Sequence, residues 1–301
     1  APVSVWRVAM WLVLLAIGAG VSAPVKAACP PEGTDSSSLQ LLREQKFAVP
    51  DDTRAALAMG LLDCLASPDP TLRDGVAYEG LSAWLRAGQL DEEQRRAARD
   101  RLYTMLDVSD EGGFASPFAA LVLSEVARTD RLQPWMSPGE RADMVKRAVG
   151  YVATVRDYRG FDNVEGWRHG VAHGADWLLQ LALNEQVDRK QLDSILSAVA
   201  VQAVPESGHA YVFGEPGRLA RPVVYTAKRG LLTEVDWTVW FSALPSRLGE
   251  AKNAYADSAW LARRHDLMAF LMSIYLEADQ SSDANIRALK PAVVNALKAV
   301  P

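Results

Sequence analysis

Helix-start signals recur along this chain, and they constrain its fold more than any other feature. Three of them place a capping residue directly before a proline, in Asp69-Pro70, Ser116-Pro117 and Ser137-Pro138. The capping side chain accepts hydrogen bonds from the first helical turn, where proline is tolerated because its missing N–H is not needed. Between such signals, apolar residues recur at three- and four-residue spacing, for example in residues 57–65. The pattern predicts about a dozen helices.

The same pattern predicts an all-α fold, because the helices are joined by short connections and strand-like alternation is almost absent. Residues 209–213 fit a short strand or a loop, and residues 218–229 fit a helix despite Pro222. The helices pair at intervals of roughly 40–50 residues, which is the period of HEAT-like repeats. We expect a solenoid of α/α helical hairpins of the HEAT or armadillo type. An α/α toroid and an irregular helical bundle are the alternatives.

The N-terminus predicts a cleaved signal peptide, residues 1–27. Arg7 supplies the positive flank, residues 8–20 are apolar or small, and Val25-Lys26-Ala27 fits the small-x-small rule before a cleavage site. An uncleaved anchor is an alternative, but the apolar run is shorter than the roughly 20 residues that span a bilayer. We therefore expect export to the periplasm or cell envelope of a bacterium, with membrane contact only through this signal.

Residues 28–38 fit a linker, and residues 39–301 are expected to form a single all-α repeat domain. The formal net charge is −5, and no basic stripe is present. Proteins that bind nucleic acid usually carry a basic excess, so nucleic acid is not an expected partner. Nucleophile elbows, phosphate-binding loops and dinucleotide fingerprints are also absent from the sequence.

Two cysteines, Cys29 and Cys64, are the only ones in the chain. In an oxidising compartment they can pair. Cys64 lies in an apolar helical run, so a small buried thiol is an alternative reading. Cys29 follows two alanines, as a lipidated cysteine does, but Lys26 stands where a lipobox has an apolar residue. These alternatives remain open from the sequence.

Residues 166–179 hold the densest cluster of chemically versatile side chains. His169 and His173 are four residues apart, and Asp176 follows three residues later. On a helix such positions share one face, and two imidazoles with a carboxylate can bind zinc or another divalent metal. A metal-assisted hydrolase is therefore one hypothesis. Zinc proteases place Glu directly after the first histidine, whereas Gly170 stands here.

A fourth metal ligand would have to come from elsewhere in the chain, and the candidates are Glu165, Asp162, His209 and His265. The leading interpretation needs no cofactor. In it, His169, His173 and Asp176 form the polar centre of a groove, and the residues at its margin are Arg156, Arg159, Glu165 and Trp167. Such a groove would bind an unknown protein or a polar small molecule. A purely structural scaffold, in which these polar groups hold neighbouring helices in register, is the third hypothesis.

Four segments together resemble a known family: residues 65–74 (LASPDPxLRD), 156–160 (RDxRG), 166–176 (GWxHxxxHxxD) and 262–275 (ARRHDL running into FLxxxY). Their order and spacing resemble the bacterial domain-of-unknown-function family DUF2785, over roughly residues 39–278. The Gly-Trp-x-His block is the most specific part. The resemblance implies an all-α, HEAT- or armadillo-like fold and no established activity.

Cleavage of the signal peptide is directly measurable. When the chain is expressed with its N-terminus in a bacterium that secretes proteins, the product in the periplasmic fraction is expected to begin at Ala28. Intact-mass measurement and N-terminal sequencing check this. Retention of Arg7 in the mature product would contradict it, and substitution of Ala27 by a bulky residue should block processing.

Overall fold

The computed structural model describes residues 28–301, apart from the side chain of residue 253. The predicted signal peptide, residues 1–27, lies outside the described residues. The described chain consists mainly of helices, with one two-stranded hairpin, which confirms the predicted all-α class. The elements are α1 (Ser36–Glu44), α2 (Asp51–Cys64), a π-helical segment (Thr71–Tyr78), α3 (Glu79–Arg86), α4 (Glu92–Leu106), α5 (Ala115–Leu132), α6 (Pro138–Thr154), β1 (Phe161–Asp162), β2 (Gly166–Trp167), α7 (Gly170–Ala182), α8 (Arg189–Ala203), α9 (Glu215–Lys228), α10 (Glu234–Ser242), two 3-10 turns (Pro245–Leu248 and Ala251–Asn253), α11 (Ser258–Gln280), α12 (Ala284–Arg287) and α13 (Lys290–Ala299).

Local capping explains where many of these helices begin. The side chains of Asp91, Ser137 and Asp188 each accept a hydrogen bond from the third residue of the following helix, and a reciprocal bond completes a capping box. Ser137 is one of the three capping residues that the sequence pattern predicted. Ser116 differs, because α5 already begins at Ala115 and Ser116 lies inside its first turn. Helix α2 begins at Asp51 without a side-chain cap.

The ambiguous stretch of residues 205–232 resolves into a loop followed by a helix. Residues 209–213 are not a strand, and helix α9 continues through Pro222. An internal proline removes one backbone hydrogen bond, and tertiary packing has to offset that loss. Leu219 and Val223 supply this packing because both are fully buried.

The helices pack in an alternating order that positions the central helix α7. Helix α5 packs against α7, α7 against α9, and α9 against α11. Helices α4, α6 and α8 pack against α5, α7 and α9, respectively. Helix α7 therefore has neighbours on several sides, and Trp177 at its centre is fully buried. The HEAT-like repeat assignment stays a prediction. Within the described residues, no helix is both long and apolar enough to cross a membrane.

Cys29 and Cys64 form a disulfide with a Cα–Cα distance of 5.0 Å, which is one of the alternatives that the sequence left open. The bridge fixes the N-terminal linker to the end of α2, where Cys64 is fully buried. It closes a loop between residues 35 positions apart. A loop of that length restricts the unfolded chain, which raises the relative stability of the folded state.

Substitution of Cys29 by Ser is expected to lower the free energy of unfolding by about 3 kcal/mol, because the unfolded chain regains its loop entropy. Urea denaturation of the oxidised protein measures this. The double variant with Cys64→Ser should lose little more, since the bridge is already absent. A reducing agent should destabilise the wild type and leave Cys29→Ser unchanged; equal effects on both would contradict the expectation.

Candidate functional site

A short hairpin between α6 and α7 builds one wall of the candidate site. Strands β1 and β2 pair antiparallel, so that Phe161 lies opposite Trp167, and their rings are 5.1 Å apart. The Oδ1 atom of Asp162 accepts hydrogen bonds from the backbone N–H groups of Val164 and Glu165, both at 2.8 Å. These bonds define the turn, which therefore presents both aromatic rings on one face of the hairpin.

Two buried arginines anchor this hairpin to the helical domain. Arg73 Nη2 donates to the Glu165 carbonyl at 2.7 Å. Arg168 Nε donates to the Gly112 carbonyl at 2.6 Å, and its Nη2 donates to Glu165 Oε2 at 2.8 Å. Both guanidinium groups lie 4.2 Å from the centre of the Phe114 ring. The hairpin is therefore held by charge-assisted hydrogen bonds and cation–π contacts rather than by its own short ladder.

The sequence pattern predicted that His169 lies on the same helix as His173, but the structure places it just before helix α7. It precedes the first helical residue and has a left-handed backbone, with φ of 59°. Its Nε2 is 3.1 Å from the Phe213 carbonyl and 3.8 Å from Glu215 Oε1. Since a carbonyl only accepts, this nitrogen carries the proton. His169 therefore joins the hairpin to the loop that precedes α9.

His173 lies within α7 and has a structural hydrogen bond. Its Nδ1 donates to the Pro117 carbonyl at 3.0 Å, and its ring packs edge-on against Phe118. Burial lowers the pKa of His173 to about 3 and that of His169 to about 4, because a charged imidazole would lose its hydration. Both histidines are therefore neutral near pH 7, and His173 joins α7 to α5.

Asp176 is ion-paired with Arg218 of α9, in which Nε donates to Oδ1 at 2.8 Å and Nη2 contacts Oδ2. Among residues 28–301, no group of three His, Cys, Asp or Glu side chains is placed to hold a metal ion. The structure therefore does not assemble His169, His173 and Asp176 into a metal-ligand set.

The four predicted margin residues lie in different places. Arg156 donates to the carbonyls of Ala153 and Val155 at the end of α6. Arg159 forms a two-point ion pair with Asp157. The partly exposed Trp167 stacks on His169 at 4.6 Å. Of the four, Arg159 and Glu165 line a cleft.

This cleft, which we call the hairpin cleft, has a volume of about 540 Å³. That is the size of a pocket for a small molecule. Aromatic, cationic and carboxylate side chains are mixed along its walls. The lining residues are Tyr158, Arg159, Gly160, Phe161, Asp162, Glu165, Arg168, His209 and Phe213.

Buried carboxylates hold the wall opposite the hairpin. Asp266 Oδ1 accepts from the Tyr211 N–H at 2.9 Å, and Glu215 Oε2 accepts from the Phe213 N–H at 2.9 Å. The Phe213 ring lies directly on Gly160, where any side chain would overlap it. Tyr158 and His209 stack 4.7 Å apart across the two walls. Both walls are therefore fixed by contacts within the protein.

Several of these residues were missed by the sequence interpretation. Arg168 occupies the undefined position of the Gly-Trp-x-His block, and its contact with Gly112 spans 56 positions. Glu215 and Phe213 fall in the stretch whose structure was ambiguous. No local pattern identifies such partners, although Gly160 belongs to the Arg-Asp-x-Arg-Gly motif of residues 156–160.

The fold and the cleft define an all-α domain whose candidate site is built by a hairpin and a loop between helices. The chain belongs to the family of proteins of unknown function DUF2785, because the sequence model of that family matches residues 102–276. This stretch includes every lining residue of the hairpin cleft. It leaves out the predicted motif in residues 65–74. No curated protein and no solved structure matches the chain.

Asp266 gives the site a predictable pH dependence. It is fully buried, and burial together with the nearby Glu215 raises its pKa to about 7. The folded state therefore binds a proton on the Asp266 carboxyl more tightly than the unfolded state does. The stability that this proton binding adds is lost as pH rises from about 4 to about 7. The histidines act in the opposite direction, since their lowered pKa values reduce stability as pH falls below about 6.5.

Asp266→Asn should remove the first effect. Relative to the wild type, the variant is expected to gain stability between about pH 5 and about pH 8, because only the wild type must ionise a buried group. Urea denaturation at both pH values measures the gain. Asp279→Asn is the matched control, since Asp279 is a surface carboxylate paired with Lys290. An identical stability difference at both pH values would contradict the role of Asp266.

Proposed function

We propose that this protein is a binding protein and that the hairpin cleft receives a small polar ligand. The observation that carries this proposal is the placement of Arg168. Its residue is only 6% exposed, yet it lines the cleft. Two hydrogen bonds and the Phe114 ring hold its guanidinium in place. A charged group that is buried, fixed and directed to a cleft is a preorganised recognition group.

Preorganisation of both walls supports the same proposal. The hairpin wall is tied down by Arg73 and Arg168, and the opposite wall by Asp266 and Glu215. Binding to a fixed site avoids the entropy loss of ordering loops and side chains. The cleft, rather than the face of α7, is therefore the groove in this proposal, and His173 has a structural role beneath it.

Export to the periplasm or cell envelope is part of the proposal. The Cys29–Cys64 disulfide supports it, since such bonds persist mainly in oxidising compartments. The alternating packing of the helices likewise supports the HEAT-like interpretation, in which α/α pairs stack on one another. The metal-assisted hydrolase has weaker support, because Asp176 is already neutralised by Arg218.

A protein partner is the second candidate, and one observation favours it. Val164 at the hairpin turn and Val212 on the opposite wall are 82% and 72% exposed, respectively. Val164 lies in the same hairpin as the half-exposed Phe161, and Val212 directly precedes the lining residue Phe213. Exposed apolar and aromatic groups beside polar ones are typical of protein interaction sites.

Ligand-observed NMR with a library of small polar fragments tests the proposed function. Fragments should bind the wild type and lose most of their saturation transfer with Phe161→Ala, which removes an exposed ring from the cleft wall. Val239→Ala is the control, because Val239 is an exposed apolar residue of α10 outside the cleft. Thermal unfolding should be nearly unchanged in both variants. Equal fragment binding by wild type and Phe161→Ala would contradict the proposal.

A further inference from the structure

We propose that the ligand of the hairpin cleft is a neutral saccharide, an inference that rests on the proposed function above. Three features of the cleft support this inference. They are the pairing of its two cations within the protein, the pattern of unpartnered atoms on its charged side chains, and its exposed aromatic rings. Together they match a ligand that has many hydroxyl groups, no charge and an apolar ring face.

Both cations of the cleft are paired with carboxylates within the protein. Arg159 is paired with Asp157, and Arg168 is paired with Glu165. Asp162 accepts two backbone N–H groups, and these bonds lower the pKa of its carboxyl. The lining thus carries two cations and two carboxylates. An anionic ligand would lose its hydration without meeting an unpaired cation, and a cationic ligand would meet only the Asp162 carboxylate beside two guanidinium groups, whereas a neutral polar ligand has a smaller desolvation cost.

Four atoms of the charged side chains in the lining have no hydrogen-bond partner among residues 28–301. Two are donors, the Nη1 groups of Arg159 and Arg168, whose other nitrogens are engaged. Two are acceptors, Asp162 Oδ2 and Glu165 Oε1, since the bonds to these carboxylates use the other oxygen. Arg159 and Asp162 are exposed residues, and neither Arg168 Nη1 nor Glu165 Oε1 is among the fully buried unpartnered atoms of the described chain, so solvent reaches all four atoms.

Saccharide hydroxyls match this set because each hydroxyl both donates one hydrogen bond and accepts others. A phosphate offers only acceptors to the donors and would meet the two carboxylates unfavourably. An ammonium group has the opposite mismatch with the two guanidinium groups. The alternation of donors and acceptors therefore favours a polyol over an ion of either sign.

Aromatic rings complete the site. Phe161 and Phe213 line the cleft and are 45% and 36% exposed, and Trp167, which is 37% exposed and lies outside the lining, is within 5.9 Å of both rings. Exposed rings lose unfavourable contact with water when an apolar surface covers them. The C–H face of a pyranose is such a surface, while its equatorial hydroxyls point to the side, toward the polar atoms of the wall.

Isothermal titration calorimetry with a defined panel tests the ligand class. The neutral probes are maltose, cellobiose and N,N′-diacetylchitobiose, and the charged probes are inorganic phosphate and citrate. At least one saccharide is expected to bind saturably. Glu165→Gln should weaken that binding about tenfold, because an acceptor is lost from the cleft. Phe161→Ala should weaken it to a similar degree.

Glu79→Gln is the matched control, because Glu79 is an equally exposed glutamate paired with an arginine outside the cleft. It should bind the saccharide as the wild type does. Circular dichroism and melting curves check that each variant is folded. Loss of saccharide binding in both cleft variants but not in Glu79→Gln supports the inference.

The remaining outcomes overturn the inference and separate it from the proposed function. If phosphate or citrate binds in a manner that Glu165→Gln alters, and no saccharide binds, the ligand class is wrong and the cleft function stands. If no probe of the panel binds but polar fragments still bind in a manner that Phe161→Ala weakens, only the proposed ligand class is wrong. If fragments also bind independently of Phe161, both proposals fail.

Discussion

The burial of Arg73 is the interaction on which the site depends. This side chain is fully buried in the π-helical segment, where it pairs with Asp74 at 2.8 Å and lies over the rings of Phe114 and Phe118. Removing a cation from water costs several kcal/mol unless pairing and hydrogen bonds compensate. Part of that compensation is the Glu165 carbonyl, 92 positions away in the chain. The charge therefore stabilises the hairpin, and the hairpin helps to satisfy the charge.

The rest of the site follows from that anchor. The hairpin backbone, once held by Arg73, places Arg168 between Gly112 and Glu165 and places Phe161 at the cleft. The left-handed turn at His169 then redirects the chain into α7. A left-handed conformation is unfavourable for most residues and persists when surrounding contacts fix it. Here the contacts are the Phe213 carbonyl and the stacked Trp167 ring.

Much of the fold could be predicted because it is encoded over short distances. Capping side chains and a 3.6-residue apolar period act within one or two helical turns. The capping boxes at Asp91 and Ser137 illustrate this agreement. The candidate site was predicted only in part. The sequence pointed to residues 156–176, where Arg159 and Glu165 line a cleft in the structure, whereas the histidines at the centre of the predicted groove are buried and neutral.

The sequence by itself therefore determined the helical class, the helix boundaries near strong caps and the family. The tertiary structure alone decided which groups meet: Asp176 with Arg218, Arg168 with Gly112, and His169 with Phe213 and Glu215. The physical reason is that the local sequence does not specify which two charged residues, distant along the chain, will form an ion pair. Several arginines could have reached Asp176, and only the packing of α7 against α9 brings Arg218 into contact with it. Within the described residues, the same packing leaves four atoms of charged side chains at the hairpin cleft without hydrogen-bond partners and leaves its aromatic rings partly exposed, and the proposed ligand site rests on these groups.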